Sequence, residues 1–212
     1  MYNGILFWSI HKIVMKKITF IILLFILISP LIATSQAKRY YYNFDCRVVK
    51  TSEALVNGEM GLAEEKNNRG KHIQKYALAV FGYKAQGYAY CLAGQYWAIQ
   101  TACDKYGVIN YLYRTAHCNT LFNQSAKTGK RDKDVNYKAN DLIIWKNRNN
   151  SSGHVERIKS VKDRKKGIVI TYAFNTSSSN IRDGGSNAIK TRYLKHPLGR
   201  MFLRGYIGIN GE

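Results

Sequence analysis

Acidic residues are scarce in this chain of 212 residues, which has 13 aspartates and glutamates against 33 lysines and arginines. The resulting formal charge of +20 indicates an anionic partner, although simple solubility is an alternative explanation that charge alone does not exclude. Internal repeats and linkers are also lacking, which argues against a second domain. The length therefore predicts one domain with a sizeable core.

The chain also lacks an apolar run long enough for a helix that crosses a membrane. Its main run, Ile18–Ile28, is shorter than the roughly 20 residues that such a helix needs. Lys16–Lys17 precedes this run and Ser35–Ala37 follows it, which is the pattern of a secretory signal peptide. We expect residues 1–37 to be removed after Ala37, with Met15 as the true start, and we weigh this against an uncleaved membrane anchor.

Export would place the protein outside the cell or in the periplasm. Cleavage removes three lysines and no acidic residue, so the mature chain keeps a formal charge of +17. For an exported protein, this charge favours cell-wall polymer or another anionic envelope surface over nucleic acid. We expect a monomer that meets the membrane only during export.

A Cys-x-x-Cys motif is absent, so the four cysteines do not form a recognisable metal site, and we expect neither a metal nor a cofactor. Export permits disulfides. Cys103 lies near the end of a predicted helix and Cys118 lies in the segment that follows. We therefore expect these two cysteines to pair, because a short loop could bring them together.

The hydrophobic pattern places helices before strands, which predicts an α+β domain with an antiparallel sheet. Residues 38–63 are expected to be an extended or partly mobile lead-in, with a possible short strand at Arg47–Val49. The predicted helices begin at Lys71, Cys91 and about Ala116. The predicted strands cover residues 141–145, 154–161, 168–174, 188–193 and 201–209.

The candidate nucleophile is Cys91, which follows a glycine-bearing loop and begins a predicted helix. The first N–H groups of a helix have no partner within it and lie at its positive end. A thiol at this position loses its proton more easily, and the same N–H groups can stabilise an oxyanion. The alternative is that Cys91 only fills a small-residue helix face with Gly94 and Ala98, since buried free cysteines are common.

Two further residues complete a candidate catalytic set. His154 begins one predicted strand, and Asn175 ends the next strand of the same hairpin. The start of one antiparallel strand lies beside the end of its partner, so these side chains are predicted neighbours. A histidine near a thiolate can act as a general base, and an asparagine can orient it. Taken singly, each is equally compatible with an ordinary surface or turn residue.

Several short motifs between Glu64 and Ile209 carry a resemblance to a known family. They are Asn67–Gly70 with Tyr76, Gly87–Cys91, Asn140–Trp145, Gly153–Val155, Asn175–Thr176 with Gly184–Gly185, and Arg204–Tyr206. Together they resemble the CHAP amidohydrolase/peptidase family, which is close to the NlpC/P60 peptidoglycan hydrolases. The chain departs from the family pattern at Asn140, where glycine is usual. It departs again at Glu156 and Arg157, where small or apolar residues are usual.

The resemblance implies a papain-like fold in residues 64–212, with the cysteine on N-terminal helices and the histidine and asparagine on the sheet. It implies cleavage of amide bonds in peptidoglycan or muropeptides, by an amidase or an endopeptidase. Cys91 would be the nucleophile, His154 the base and Asn175 the orienting residue. Tyr90, Trp145 and Gly153 are expected to contact the substrate.

Two other functions remain open. One is a catalytically silent wall-binding module that uses the same basic groove. The other is a secreted protein without activity that is held by disulfides, with Cys91 oxidised. An intact set of Cys91, His154 and Asn175 argues against silence, because binding alone does not need a thiol at the start of a helix.

Overall fold

The computed structural model describes residues 37–176 and 185–209. Residues 1–36 of the predicted signal peptide, which include the Met15 start, and Gly184 lie outside these residues. The helices are α1 (Cys46–Gly58), α2 (Lys71–Phe81), α3 (Cys91–Tyr106) and α4 (Cys118–Thr128). The strands are β1 (Lys38–Tyr41), β2 (Lys130–Asp132), β3 (Leu142–Asn147), β4 (Gly153–Asp163), β5 (Ile168–Thr176), β6 (Ser186–Tyr193) and β7 (Met201–Gly208). No helix within these ranges is both long enough and apolar enough to span a membrane.

The strands form one mixed sheet in the order β2-β1-β7-β3-β4-β5-β6. The predicted α+β class is confirmed. The sheet is not purely antiparallel as expected, because β1 runs parallel to β7. The other neighbouring strands are antiparallel, including the hairpin of β4 and β5 that was predicted to carry the histidine.

The expected strand at Arg47–Val49 is wrong, because these residues belong to α1. Asp45 caps this helix, since its side chain accepts a hydrogen bond of 2.8 Å from the backbone N–H of Arg47. Val48, Ser52 and Val56 lie on its buried face at helical spacing. The preceding strand β1 lies between β2 and β7, so residues 38–58 are part of the folded body.

Strand β3 lies in the centre of the sheet and is buried on both faces. Leu142 and Ile144 belong to the larger hydrophobic core, which the four helices share. Ile143 and Trp145 belong to a second, smaller core. Side chains alternate along a strand, so a continuous apolar run is what a strand between two cores requires.

Helix α3 approaches the sheet closely through its face of small residues, which includes Gly94 and Ala98. A Cβ atom added to Gly94 would lie 2.4 Å from Cδ1 of Phe174 on β5, and Phe174 is fully buried. The adjacent Gln95 donates a 3.1 Å hydrogen bond from Nε2 to the carbonyl oxygen of Tyr172, also on β5. These contacts hold the helix in position against the strands.

We expect Gly94→Ala to lower the free energy of unfolding by about 1–3 kcal/mol, because the added methyl group overpacks the contact with Phe174. Gly58→Ala is the matched control, since a Cβ at that position meets no atom within 4 Å. Urea denaturation of both variants measures the difference. Equal stability of Gly94→Ala and wild type would show that α3 can move away from the sheet without cost.

Candidate active site

Cys91 is the first residue of α3. The helical hydrogen bonds begin with the N–H of Gly94, which donates to the carbonyl oxygen of Tyr90 at 3.0 Å. The N–H groups of the first turn, including that of Cys91 itself, therefore have no acceptor within the helix. The side chain of Cys91 is nearly buried and lines a cleft of about 450 Å³.

The cleft combines aromatic, basic and small side chains. Phe81 and Tyr88 form an edge-to-face pair with ring centroids 5.1 Å apart. Arg114 donates a 2.7 Å hydrogen bond from Nε to the carbonyl oxygen of Val80, which fixes its guanidinium group at the cleft wall. Gly153, one of the residues predicted to contact substrate, lines the same cleft.

His154 is the second residue of β4, next to Cys91. Its Nε2 atom lies 3.1 Å from Oε1 of Glu156. Residues two apart on a strand project from the same face, so the spacing of His154 and Glu156 brings their side chains together. With Nε2 engaged by the carboxylate, Nδ1 is left for the thiol of Cys91.

Glu156 is fully buried, yet both of its carboxylate oxygens have partners. Arg192 on β6 donates from Nη2 to Oε1 at 2.6 Å and from Nε to Oε2 at 2.9 Å. Thr171 on β5 donates from Oγ1 to Oε2 at 2.5 Å. Burial acts to raise the pKa of Glu156, but His154 and Arg192 outweigh burial and lower this pKa to about 2.

The contact between Cys91 and His154 shifts the pKa of both groups, downward for the thiol and upward for the imidazole. The S–H of Cys118 makes the largest contribution to lowering the pKa of Cys91; burial opposes this effect, and His154 reinforces it. Burial acts against a charged His154, but contacts with Cys91 and Glu156 outweigh burial and raise the pKa of His154 to about 10. At neutral pH the arrangement therefore favours a thiolate beside an imidazolium.

Cys118 is the first residue of α4, and its Sγ atom lies 3.7 Å from Sγ of Cys91. The expected disulfide between Cys103 and Cys118 is wrong, because all four cysteines are free. Cys103 instead contacts the carbonyl oxygen of Ile109, at 3.9 Å from Sγ. The pKa of Cys118 is raised, first by its hydrogen bond to Cys91 and then by burial, so Cys118 remains a thiol.

Asn175 lies at the end of β5, two residues beyond Ala173, which pairs with Glu156. Its φ of 50° is in the left-handed region, which asparagine tolerates. Among the residues that the structure describes, no hydrogen bond joins Asn175 to His154. The imidazole is instead bound by Glu156.

Two of the expected substrate contacts lie inside the fold. Tyr90 is fully buried and packs on Tyr76, with ring centroids 6.0 Å apart. Trp145 is 1% exposed and lies behind the His154 ring, with centroids 6.2 Å apart. Trp145 therefore packs beside the His154 ring and is too deeply buried to contact a substrate.

Glu156 was overlooked as a site residue in the sequence, although a signal was present. It is a carboxylate two positions after a strand histidine, which places both side chains on one face. In residues 37–176 and 185–209, no group of three or more histidine, cysteine or acidic side chains could hold a metal ion.

No family model, curated protein or solved structure matches the chain.

The ion pair predicts an unusual pH profile for the alkylation of Cys91 by iodoacetamide. A lowered pKa preserves the thiolate as pH falls, and the raised pKa of His154 keeps its charged partner up to about pH 10. The alkylation rate should therefore change little between about pH 6 and 8, whereas an ordinary thiol slows about tenfold per pH unit below its pKa. Mass spectrometry of the Cys91 peptide gives the rate.

Glu156→Gln should slow alkylation of Cys91 at pH 6 by about tenfold or more, because loss of the carboxylate lowers the pKa of His154 and raises that of Cys91. Cys103 is the internal control, since burial raises its pKa to about 11 and it should stay unmodified in the folded protein. A tenfold fall in rate per pH unit for wild-type Cys91 would contradict the ion pair.

Proposed function

We propose that this protein is an exported cysteine amidase or endopeptidase that hydrolyses amide bonds of peptidoglycan on a papain-like catalytic domain. The observation that carries the proposal is the buried chain of contacts from Cys91 through His154 to Glu156. The resemblance to CHAP and NlpC/P60 enzymes is independent of this geometry and supports the same chemistry.

In the proposed reaction, the Cys91 thiolate attacks the carbonyl carbon of an amide. The oxyanion that forms is stabilised by the N–H groups of the first turn of α3. His154 donates its proton to the leaving amine, and a thioester with Cys91 remains. His154 then takes a proton from water, the hydroxide attacks the thioester carbonyl, and the C–S bond breaks to release the acid and the Cys91 thiolate beside the protonated His154.

Glu156 takes the orienting role that the family resemblance assigned to Asn175. A carboxylate that binds Nε2 fixes both the tautomer and the ring orientation of His154. Arg192 and Thr171 in turn fix the carboxylate. The set is thus a Cys-His-Glu triad. Asn175 lies next to this triad but does not orient the imidazole.

The cleft and the surface charge suit peptidoglycan as a substrate. Stem peptides carry free carboxylates, and the guanidinium of Arg114 lies in the same cleft as Cys91. The wall polymer as a whole is anionic. The charge excess of the chain would concentrate the enzyme on such a surface.

We expect Cys91→Ala and His154→Ala each to lower hydrolysis of purified cell walls at least about 10³-fold, because they remove the nucleophile and the acid–base group. Glu156→Gln should cost about 10²–10⁴-fold, since the imidazole loses its orientation and its charge partner. Asn175→Ala should have a milder effect than Glu156→Gln. Mass spectrometry of released muropeptides measures the rate and identifies the bond that is cut.

Circular dichroism serves as the folding control for these variants. Wild-type protein that binds walls but releases no muropeptide would favour the catalytically silent binding module. An effect of Asn175→Ala that exceeds that of Glu156→Gln would return the orienting role to the asparagine.

The positive surface should make activity on intact walls sensitive to salt. Exposed charges act over a Debye length of about 10 Å at 0.1 M salt and about 3 Å at 1 M. Hydrolysis of walls should therefore fall as salt rises, whereas hydrolysis of a small soluble muropeptide should stay nearly constant. Lys127, Lys130 and Lys165 are exposed, and changing all three to glutamine should lower wall activity several-fold at low salt.

The soluble muropeptide is the control for this experiment, because salt effects on the ion pair of Cys91 and His154 would slow both substrates. Equal salt sensitivity on the two substrates would mean that the basic surface does not capture the wall. So would unchanged wall activity in the triple variant.

A further inference from the structure

The thiol of Cys118 takes no covalent part in the proposed hydrolysis, although it lies 3.7 Å from the nucleophilic sulfur. Cys91 and Cys118 are 3% and 4% exposed, and both line the cleft of about 450 Å³. The cleft therefore gives a molecule as small as hydrogen peroxide a path to both sulfur atoms. A second cysteine at this distance can form a disulfide with the first once the first has been oxidised.

We infer that Cys91 and Cys118 form a redox switch, in which a hydroperoxide oxidises Cys91 and Cys118 resolves the product to a disulfide. The disulfide removes the thiolate from His154, so hydrolysis stops until a thiol reductant restores the pair. The loss of hydrolysis rests on the proposed function, whereas formation of the disulfide does not.

The two steps balance with one hydroperoxide as the oxidant. The Cys91 thiolate attacks the peroxide, an S–O bond forms and the O–O bond breaks, and the departing hydroxide or alkoxide takes the proton of His154. Cys91 is then a sulfenic acid. The sulfur of Cys118 attacks that of Cys91, an S–S bond forms and the S–O bond breaks, and the departing hydroxide leaves as water with the proton of Cys118.

The two cysteines lie at positions that permit this reaction. A disulfide has an S–S length of about 2.05 Å, so the sulfur atoms must approach each other by about 1.7 Å. Cys91 and Cys118 are each the first residue of a helix, and the N–H of a first residue has no acceptor within its helix. Rotation about the Cα–Cβ bonds moves these sulfur atoms without moving the backbone of either helix.

The two thiols also differ in pKa, in the direction that the reaction requires. The pKa of Cys91 is lowered and that of Cys118 is raised, so one sulfur is the nucleophile toward peroxide and the other keeps its proton. The remaining buried thiol, Cys103, contacts the carbonyl oxygen of Ile109 instead of another sulfur. Cys103 therefore provides a matched control.

The experiment treats the reduced, folded protein with hydrogen peroxide, blocks free thiols and maps peptides without reduction by mass spectrometry. We expect one linked pair of peptides, which contains Cys91 and Cys118, and its disappearance after dithiothreitol. Cys103→Ala should give the same linked pair. Cys118→Ala should give no linked pair and should carry Cys91 onward to sulfinic acid.

Activity is measured on the same samples, each relative to its own untreated protein. Wild type and Cys103→Ala should recover nearly all of their activity after dithiothreitol, whereas Cys118→Ala should recover less than about a tenth, because sulfinic acid resists thiols. Circular dichroism checks folding, and Cys118→Ser replaces the alanine variant if the latter does not fold.

Sulfinic acid at Cys91 in wild type without a linked pair would overturn the switch and leave the hydrolase intact. A linked pair in a protein that never hydrolyses peptidoglycan would instead overturn the proposed function and leave the thiol chemistry intact. Linkage of Cys118 to Cys103 or Cys46, or full recovery of the Cys118→Ala variant, would also overturn the switch.

Discussion

The buried carboxylate of Glu156 is the constraint on which the site depends. A carboxylate removed from water is strongly destabilising unless charged and hydrogen-bonding partners compensate it. Here the compensation comes from three strands, through His154 on β4, Thr171 on β5 and Arg192 on β6. The same contacts that make Glu156 tolerable in the core also hold the imidazole in one orientation, so the stability of the sheet and the geometry of the site have one origin.

Local patterns in the sequence were sufficient to predict α2, α3 and strands β3 to β7, because their periodicity and glycine ends are short-range signals. They also predicted Cys91 at a helix start and His154 at a strand start. The spacing of His154 and Glu156 was a local signal, but the arginine that compensates the buried carboxylate, Arg192, lies 36 positions away and could not be identified from local sequence. Asn175 was chosen from strand register alone, which places backbones opposite each other but does not decide which side chain reaches the ring.

Asn140 and Arg157, at which the sequence departs from the CHAP motifs that it resembles, have a structural explanation. Asn140, at a position where glycine is usual, has a φ of 74°, and its Oδ1 accepts a hydrogen bond from Arg157 at 2.9 Å. Arg157 also donates to Ser52 of α1, so these two residues join α1 to the sheet. Their partners lie about 100 positions earlier, which is why residues 38–58 could not be recognised as part of the fold from local sequence.

The parallel pairing of β1 with β7 has a consequence for how the chain folds. Tyr40 lies opposite Ile207, so the first and the last strands that the structure describes must meet in the sheet interior. Contacts between such distant segments are slow to form, since the loop between them must close first. The sheet cannot be completed until the chain is available as far as β7. A ribosome-bound chain that has not yet exposed β7 would therefore lack the partner of β1, and completion of the sheet would be a late event.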